Sequence, residues 1–148
     1  MTDDDNILYL IDGHAQIFRA YYAIRGGMTS PVTGEPSGAS FAFTGMLIKL
    51  FSQFAPRYVA MAVDSDAPTF REELFPDYKA QREAPPEDFE QQIPRIFELT
   101  RLFGIPILEH QGAEADDLIA TITRHLLNDP NYEDVHIRIV SRDKDLEQ

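Results

Sequence analysis

Two continuous apolar runs in this sequence each end at an aspartate. The first run covers 7–11 and is followed by Asp12, and the second covers 58–63 and is followed by Asp64. Runs of this length without polar alternation are typical of parallel strands that are buried on both faces. The sequence therefore predicts two central strands of a parallel sheet, each with a carboxylate at its carboxyl end.

Two further apolar runs predict strands at 105–109 and 135–140. In the second of these, His136 and Arg138 alternate with apolar residues, so we expect one face of that strand to be less buried than the other. Two more aspartates, Asp143 and Asp145, follow that strand within five residues.

Segments with a helical spacing of apolar residues lie between the predicted strands. They predict helices at 15–24, 38–54 and 86–103, and a fourth that carries an apolar stripe and ends in the turn at 128–133. The residues of that stripe are Ala115, Leu118, Ile119, Ile122 and Leu126. Ser37 directly precedes the second helix and could cap it. Because Lys49 is the only charged residue of that helix, we expect it to be largely buried. Pro94 lies inside the third helix and should kink or divide it, because proline removes a backbone donor and clashes with the preceding turn.

The alternation of strands and helices predicts an α/β fold, with a mostly parallel sheet and helices on both of its faces. A length of 148 residues and a hydrophobic content of 43% fit one folded domain over 1–148. The absence of cysteine removes disulfides and thiolate chemistry and fits a reducing cytoplasm. No apolar run reaches membrane-spanning length, and we expect no signal peptide in the acidic N-terminus.

The formal net charge of −12 argues against binding nucleic acid through general surface charge. A polyanionic partner would require metal ions and a local basic element. The segment 65–86 contains such an element, because it mixes aromatic residues with Arg71, Lys79 and Arg82 and lacks a core-facing period. We expect this segment to be a mobile excursion from the domain, although a solvated charged loop would have the same composition.

Three carboxylates begin the predicted fourth helix, at Glu114, Asp116 and Asp117. At about 100° per residue, Glu114 and Asp117 share one side of that helix and Asp116 is rotated away from both. Acids at a helix N-terminus often serve only to cap it and to favour solubility. In an open parallel sheet, however, the acids that follow the strands should lie at the same edge as this helix start: Asp12, Asp64, Asp143 and Asp145.

So many like charges in one crevice require a cation. The ligands would be hard oxygens, which suit Mg²⁺ or Mn²⁺. Two such ions about 4 Å apart support phosphodiester hydrolysis.

On the first helix, Arg19 could form a surface salt bridge or contact a phosphate, and Tyr22 could pack or stack on a base. His14 has no partner visible in the sequence and is interpreted as a loop histidine.

Motifs in a fixed order resemble the flap endonuclease family, in particular the 5′-3′ exonuclease domain of bacterial DNA polymerase I, which has a PIN-like, resolvase-like fold. These motifs cover 10–13 with 18–21, 63–64, 69–82, 112–117 and 141–148. The resemblance implies a structure-specific nuclease that hydrolyses DNA at 5′ flaps, nicks and 5′ ends, in a cytoplasmic polymerase that serves replication and repair. It implies that two Mg²⁺ or Mn²⁺ ions are held, directly or through water, by Asp12, Asp64, Glu114, Asp116, Asp117, Asp143 and Asp145.

The resemblance also assigns roles to the basic and aromatic residues. Lys79 and Arg82 would lie on the family's helical arch, within 65–86, and act as catalytic groups at the scissile phosphate. The residues that would contact DNA are Arg19, Tyr22, Arg71 and Tyr78. In the family the domain continues to a further metal-binding aspartate and a Gly-rich helical hairpin that binds duplex DNA. Because the sequence ends at Gln148, we expect a truncated domain with weak or absent activity on its own.

Two other classes of function compete with a nuclease. A non-catalytic nucleic-acid-binding fragment is disfavoured by the acidic composition. A phosphatase of the haloacid dehalogenase type would use an aspartate after the first strand with Mg²⁺. It would also require an acid two residues later, where this chain has His14.

Overall fold

The computed structural model describes residues 3–24, 27–66, 74, 77 and 86–141. In this part of the chain, strands and helices follow one another in the order β1 (Ile7–Asp12), α1 (Gly13–Ala23), α2 (Gly38–Phe54), β2 (Tyr58–Ala62), α3 (Glu87–Leu102), β3 (Ile107–Leu108), α4 (Ala115–Asn128) and β4 (His136–Val140). Short 3₁₀ helices at Asp3–Asn6 and Pro130–Tyr132 precede β1 and β4. None of the described helices is both long and apolar enough to cross a membrane.

The four strands form one parallel sheet in the order β3-β2-β1-β4. Leu10 in β1 is paired with Ala60 in β2 on one side and with Ile139 in β4 on the other. Because the strands are parallel, their carboxyl ends lie at the same edge of the sheet. The predicted α/β fold is confirmed, and that edge is where the acids were expected to meet.

Helices cover both faces of the sheet, as predicted. On one face α1, α2 and α3 bury a core that contains Ile11, Met61 and Phe43. On the other face α4 packs Ala115 and Ile119 against Leu10 and Ala62. β4 is more exposed than β1, and His136 and Arg138 are exposed where Ile137 and Ile139 are half-buried, as expected. The Arg138 guanidinium covers the ring of Tyr9 and donates a hydrogen bond to its hydroxyl at 3.0 Å.

The expectation that α2 is largely buried is wrong. Its inward face is formed by residues one helical turn apart, including Phe43 and Leu47, which are fully buried. Its outward face leaves Phe41 63% exposed and Ile48 55% exposed. A helix with a single charged residue still exposes one face when it has neighbours on the other side only. Its apolar composition therefore predicted more burial than the structure shows.

The start of α2 is capped by a distant residue rather than by Ser37. The Ser37 side chain makes no cap hydrogen bond within the described residues. Instead, Oε1 of Gln92 in α3 accepts hydrogen bonds from the backbone N–H groups of Ala39 (2.8 Å) and Ser40 (3.2 Å). This cap is a tertiary contact, 53 residues away in the sequence from Ala39, and local sequence rules do not predict it.

A hydrogen bond also connects the start of α3 to α1. The Asp88 carboxylate accepts a hydrogen bond from the Tyr21 hydroxyl at 2.8 Å. This hydrogen bond, together with some burial and the nearby negative charge, raises the pKa of Tyr21 above its ordinary value. α3 then continues through Pro94 as one helix, so the proline does not divide it.

The third strand is shorter than the predicted 105–109. Pro106 has no N–H to donate, so its contribution to the sheet is its carbonyl, which accepts from Met61 N at 2.9 Å. The Leu108 carbonyl accepts from Val63 N at 3.0 Å. These bonds extend the pairing of the two chain segments beyond the two residues of the strand proper.

Gly13, directly after Asp12, is required where α1 leaves the sheet. A Cβ at this position would lie 2.8 Å from the carbonyl oxygen of Ala62 and 2.9 Å from a methyl carbon of Val63. Gly13→Ala should therefore destabilise the fold by about 1–3 kcal/mol, as other overpacked core variants do. Gly45→Ala is the matched control, because a Cβ there meets nothing within 4 Å. It should stabilise α2 by about 0.5–1 kcal/mol. Urea unfolding measures both, and equal stability of the two variants would contradict this prediction.

Candidate metal centre

Asp12 ends β1 and lies at the carboxyl edge of the sheet. Its side chain is turned inward and the residue is 5% exposed, and it does not cap α1. Asp12 Oδ2 accepts a hydrogen bond from the Ser141 hydroxyl at 3.0 Å. Ser141 directly follows β4, so this bond connects the ends of two neighbouring strands.

Asp64 lies two residues after β2 and connects that strand to α4. Its Oδ1 accepts a hydrogen bond of 2.7 Å from the backbone N–H of Ala115, the first residue of α4. Next to it, Ser65 accepts from the Gly112 N–H through its hydroxyl and donates its own N–H to the Ala113 carbonyl. The Asp64 side chain is 40% exposed, so it remains accessible to an ion from solvent.

Glu114, Asp116 and Asp117 meet at the N-terminus of α4. Each offers a carboxylate oxygen, and these oxygens lie within 4.8 Å of one another. Glu114 is 6% exposed, and its backbone N–H donates to Asp117 Oδ2 at 3.1 Å. The N–H groups at this helix start and the positive end of the helix dipole favour the negative charge.

The predicted position of Asp116, away from the other two acids, is wrong. Glu114 precedes the helix with an extended backbone, so the 100° rotation per residue does not apply between it and Asp116. The Asp116 side chain also turns back along the helix start, and its Oδ1 accepts from the Asp117 N–H at 2.9 Å. All three carboxylates therefore face a common point.

This donor set fits a divalent cation of the hard type. All of its donor atoms are carboxylate oxygens, which are the ligands that Mg²⁺ and Mn²⁺ prefer. Asp12 and Glu114 are nearly buried, and a buried carboxylate remains ionised at lower cost when a cation is bound to it. The candidate metal centre, as the term is used below, comprises Asp12, Asp64, Glu114, Asp116 and Asp117.

The remaining predicted site residues fall into two groups. Asp143 and Asp145, with Arg71, Tyr78, Lys79 and Arg82, lie outside the described residues. The same holds for most of the segment 65–86. Arg19 and Tyr22 are described, and both are exposed on α1.

Arg19 and Tyr22 are in different surroundings. Arg19 lines a groove between α1 and α2 together with Gln16 and Lys49, and no carboxylate pairs with it in the described part of the chain. The alternative of a surface salt bridge is therefore not supported there. Tyr22 is 65% exposed, with its ring edge-on to Tyr21 at 4.9 Å. It lies eight residues beyond His14, about 12 Å along the helix axis, and so is not part of the acid cluster.

Two residues near the candidate metal centre were missed from the sequence. The first is Ser141, which precedes Asp143 by two residues. The second is His14, and its interpretation as a loop histidine is wrong. It lies in the first turn of α1 and accepts a hydrogen bond from the backbone N–H of Asp64 at 3.0 Å. The signal in the sequence was the position of His14 two residues after Asp12, next to the strand that Asp64 follows.

The fold and this site define an α/β protein with an acidic centre at the carboxyl edge of a parallel sheet. A model of the 5′-3′ exonuclease, N-terminal resolvase-like domain, matches residues 7–148. The chain belongs to this family, as its motifs indicated.

Curated relatives agree with this assignment. The chain is 39% identical over 139 residues to the thermostable DNA polymerase I of Thermus caldophilus, and 38% identical over 141 residues to the 5′-3′ exonuclease of Aquifex aeolicus. These matches cover 94% and 95% of the chain. They cover only 16% of the polymerase and 47% of the exonuclease, so this chain spans less than half of either relative.

Solved structures of a phage nuclease share the fold. One is the 5′-exonuclease of bacteriophage T5 with bound zinc ions, at a TM-score of 0.66 and 23% identity over 95% of this chain and 51% of that one. Another is the T5 flap endonuclease in a complex with DNA and metal ions, at a TM-score of 0.65 and 22% identity over 93% and 49% of the two chains. At these identities the likeness establishes the fold.

Proposed function

We propose that this chain is the metal-binding part of a nuclease that hydrolyses DNA phosphodiester bonds at 5′ flaps, nicks and 5′ ends. The observation that carries the proposal is the convergence of Glu114, Asp116 and Asp117 at the sheet edge where Asp12 ends β1 and Asp64 follows β2. Family membership supports the reaction class, and the DNA complex of the T5 flap endonuclease supports the substrate.

The ligands we propose for the two ions are the acids of the candidate metal centre, with Asp143 and Asp145 completing the set. Mg²⁺ is the proposed physiological ion, with Mn²⁺ as a substitute. When bound, such ions supply positive charge at the scissile phosphate and favour ionisation of an attacking water. The protein's contribution is to hold the carboxylates in place: Ser141 orients Asp12, and the first N–H of α4 orients Asp64.

Arg19 is proposed to bind a backbone phosphate of the DNA. Its guanidinium has no carboxylate partner among the described residues, and a planar guanidinium suits bidentate contact with a phosphate. Lys79 and Arg82 are proposed to act on the scissile phosphate, with Arg71 and Tyr78 as further DNA contacts. The segment 65–86 is proposed to form the arch that carries these four residues. Tyr22 would contact DNA only at a distance from the metal centre, by stacking on a base.

The proposal is tested by cleavage of a 5′-labelled flap DNA with Mg²⁺ or Mn²⁺, with EDTA as a control. A small phosphomonoester is assayed in parallel. For the protein as it occurs in the cell, we expect cleavage of the flap DNA and no hydrolysis of the phosphomonoester. This cleavage should be lost when EDTA is added and in the Asp64→Asn variant. Hydrolysis of the phosphomonoester without the flap would indicate a phosphatase. DNA binding that is independent of metal and has no cleavage would indicate the non-catalytic alternative.

We propose that in the cell this domain is covalently continuous with the polymerase domains of a DNA polymerase I. The support is that several of its relatives with 38–41% identity bear that name. The partners of the domain would then be DNA and the rest of its own chain, acting in replication and repair in the cytoplasm.

A further inference from the structure

His14 reaches from α1 to the end of the neighbouring strand. Its Nδ1 accepts a hydrogen bond of 3.0 Å from the backbone N–H of Asp64. Its ring also meets the ring of Phe97 in α3 edge-on, with 6.3 Å between the centroids, and its side chain is only 25% exposed. The imidazole is thus held between two helices with one nitrogen directed at the main chain of Asp64.

This hydrogen bond defines the tautomer of the imidazole. A ring nitrogen that accepts a hydrogen bond carries no proton, so neutral His14 has its proton on Nε2. His14 Nδ1 is 3.9 Å from Asp64 Oδ2, which is beyond hydrogen-bond distance, and neither atom has a proton to share. The contact between the two side chains is therefore not an ion pair, and His14 acts on Asp64 through the backbone.

Asp64 is consequently fixed at two points. His14 holds its N–H, and the N–H of Ala115 holds its Oδ1 at 2.7 Å. Ala115 lies between Glu114 and Asp116 in the sequence, so the second contact joins Asp64 to the acids at the start of α4. With its main chain and one carboxylate oxygen fixed, the direction of the remaining oxygen, Oδ2, is fixed as well.

We propose that His14 is a positioning residue for metal binding: by accepting the Asp64 N–H it holds the Asp64 carboxylate in its ligating orientation. This inference rests on the proposed function, because it requires Asp64 to bind the divalent ion. Hydrogen-bond partners that orient a ligand typically change metal affinity by about 10–100-fold when they are removed.

Three substitutions distinguish the role of His14 as a hydrogen-bond acceptor from the packing of its ring. In His14→Asn, Oδ1 is as many bonds from Cα as Nδ1 of histidine, so an acceptor remains in reach. In His14→Gln the same amide lies one bond further out, and in His14→Leu there is no acceptor at all. If His14 served only to pack against Phe97, the larger glutamine and leucine would preserve its role better than asparagine. This order is the reverse of the one expected if His14 serves as a hydrogen-bond acceptor.

Two measurements on the whole chain report the effect. Hydrogen exchange of the Asp64 amide reports the hydrogen bond itself. Titration with Mn²⁺, followed by the electron paramagnetic resonance of the free ion, reports affinity. We expect His14→Leu and His14→Gln to speed exchange of the Asp64 amide and to weaken Mn²⁺ binding about 10-fold. We expect His14→Asn to remain within about 3-fold of the wild type in both measurements.

Asp64→Asn is measured beside these variants, so that a failure of the proposed function is recognised. If Asp64→Asn loses Mn²⁺ affinity while all three His14 variants keep it, the positioning role is overturned and the metal role of Asp64 stands. If Asp64→Asn binds Mn²⁺ like the wild type, the metal role of Asp64 is overturned, and the inference falls with it. Should His14→Leu fail to fold, equal affinities of His14→Asn and His14→Gln would still overturn the inference.

Discussion

Mg²⁺ or Mn²⁺ should raise the melting temperature of this chain, and Asp12→Asn should remove most of that increase. The folded state brings carboxylates together at the sheet edge, whereas the unfolded chain keeps them apart, so a cation binds the folded state preferentially. With about 10 mM metal and a dissociation constant of about 1 mM, the stabilisation is about 1.4 kcal/mol. For a domain of this size that corresponds to an increase of roughly 3–6 °C.

Asp12→Asn isolates the charge of the carboxylate from its hydrogen bonding. The amide oxygen of asparagine can still accept from the Ser141 hydroxyl, so the contact at 3.0 Å can be kept. A loss of affinity of about tenfold or more would reduce the stabilisation to about 0.4 kcal/mol or less. Thermal unfolding with metal and with EDTA measures both values.

The control for this experiment is Glu133→Gln. Glu133 is exposed between α4 and β4, at the opposite edge of the sheet, and the substitution changes the net charge by the same amount. If the two variants respond equally to metal, the stabilisation comes from general screening of the negative charge. The candidate metal centre would then have no specific affinity.

The main acids of the site could be predicted because they depend on one topological rule. Asp12 and Asp64 follow buried apolar runs, and a parallel sheet places the ends of such strands at one edge. Glu114 is placed there because its helix follows the third strand on the same edge. These conclusions need only the order and direction of the elements, which the hydrophobic pattern supplies.

The contacts that orient the acids could not be predicted in the same way. His14 accepts a backbone N–H, and every residue except proline offers one, so no pairing of residue types marks this bond in the sequence. The cap of α2 by Gln92 cannot be predicted from the sequence for the same reason, since its partners are main-chain groups 52 and 53 residues away. The exposure of Phe41 depends on which helices neighbour α2, and composition does not report that.

Lys79→Ala should lower the rate of the chemical step far more than it lowers affinity for DNA. Carboxylates that ligate metal ions cannot themselves offset the negative charge that builds on the non-bridging phosphate oxygens. An ammonium on a flexible stem can reach those oxygens without competing for the metal. Loss of an electrostatic donor of this kind lowers the rate on the order of 10²-fold or more. Single-turnover cleavage of a flap DNA, by the protein as it occurs in the cell, measures the step directly.

Arg57→Ala is the matched control for Lys79→Ala, because it removes one positive charge at the start of β2, away from the edge that carries the acids. It should leave the single-turnover rate unchanged. If Lys79→Ala keeps the rate at saturating DNA and instead weakens binding more at high salt, Lys79 is an ordinary contact to the DNA backbone. The segment 65–86 would then bind the substrate without taking part in the reaction. A loss of rate at saturating DNA that does not change with salt places Lys79 at the scissile phosphate, where the charge develops.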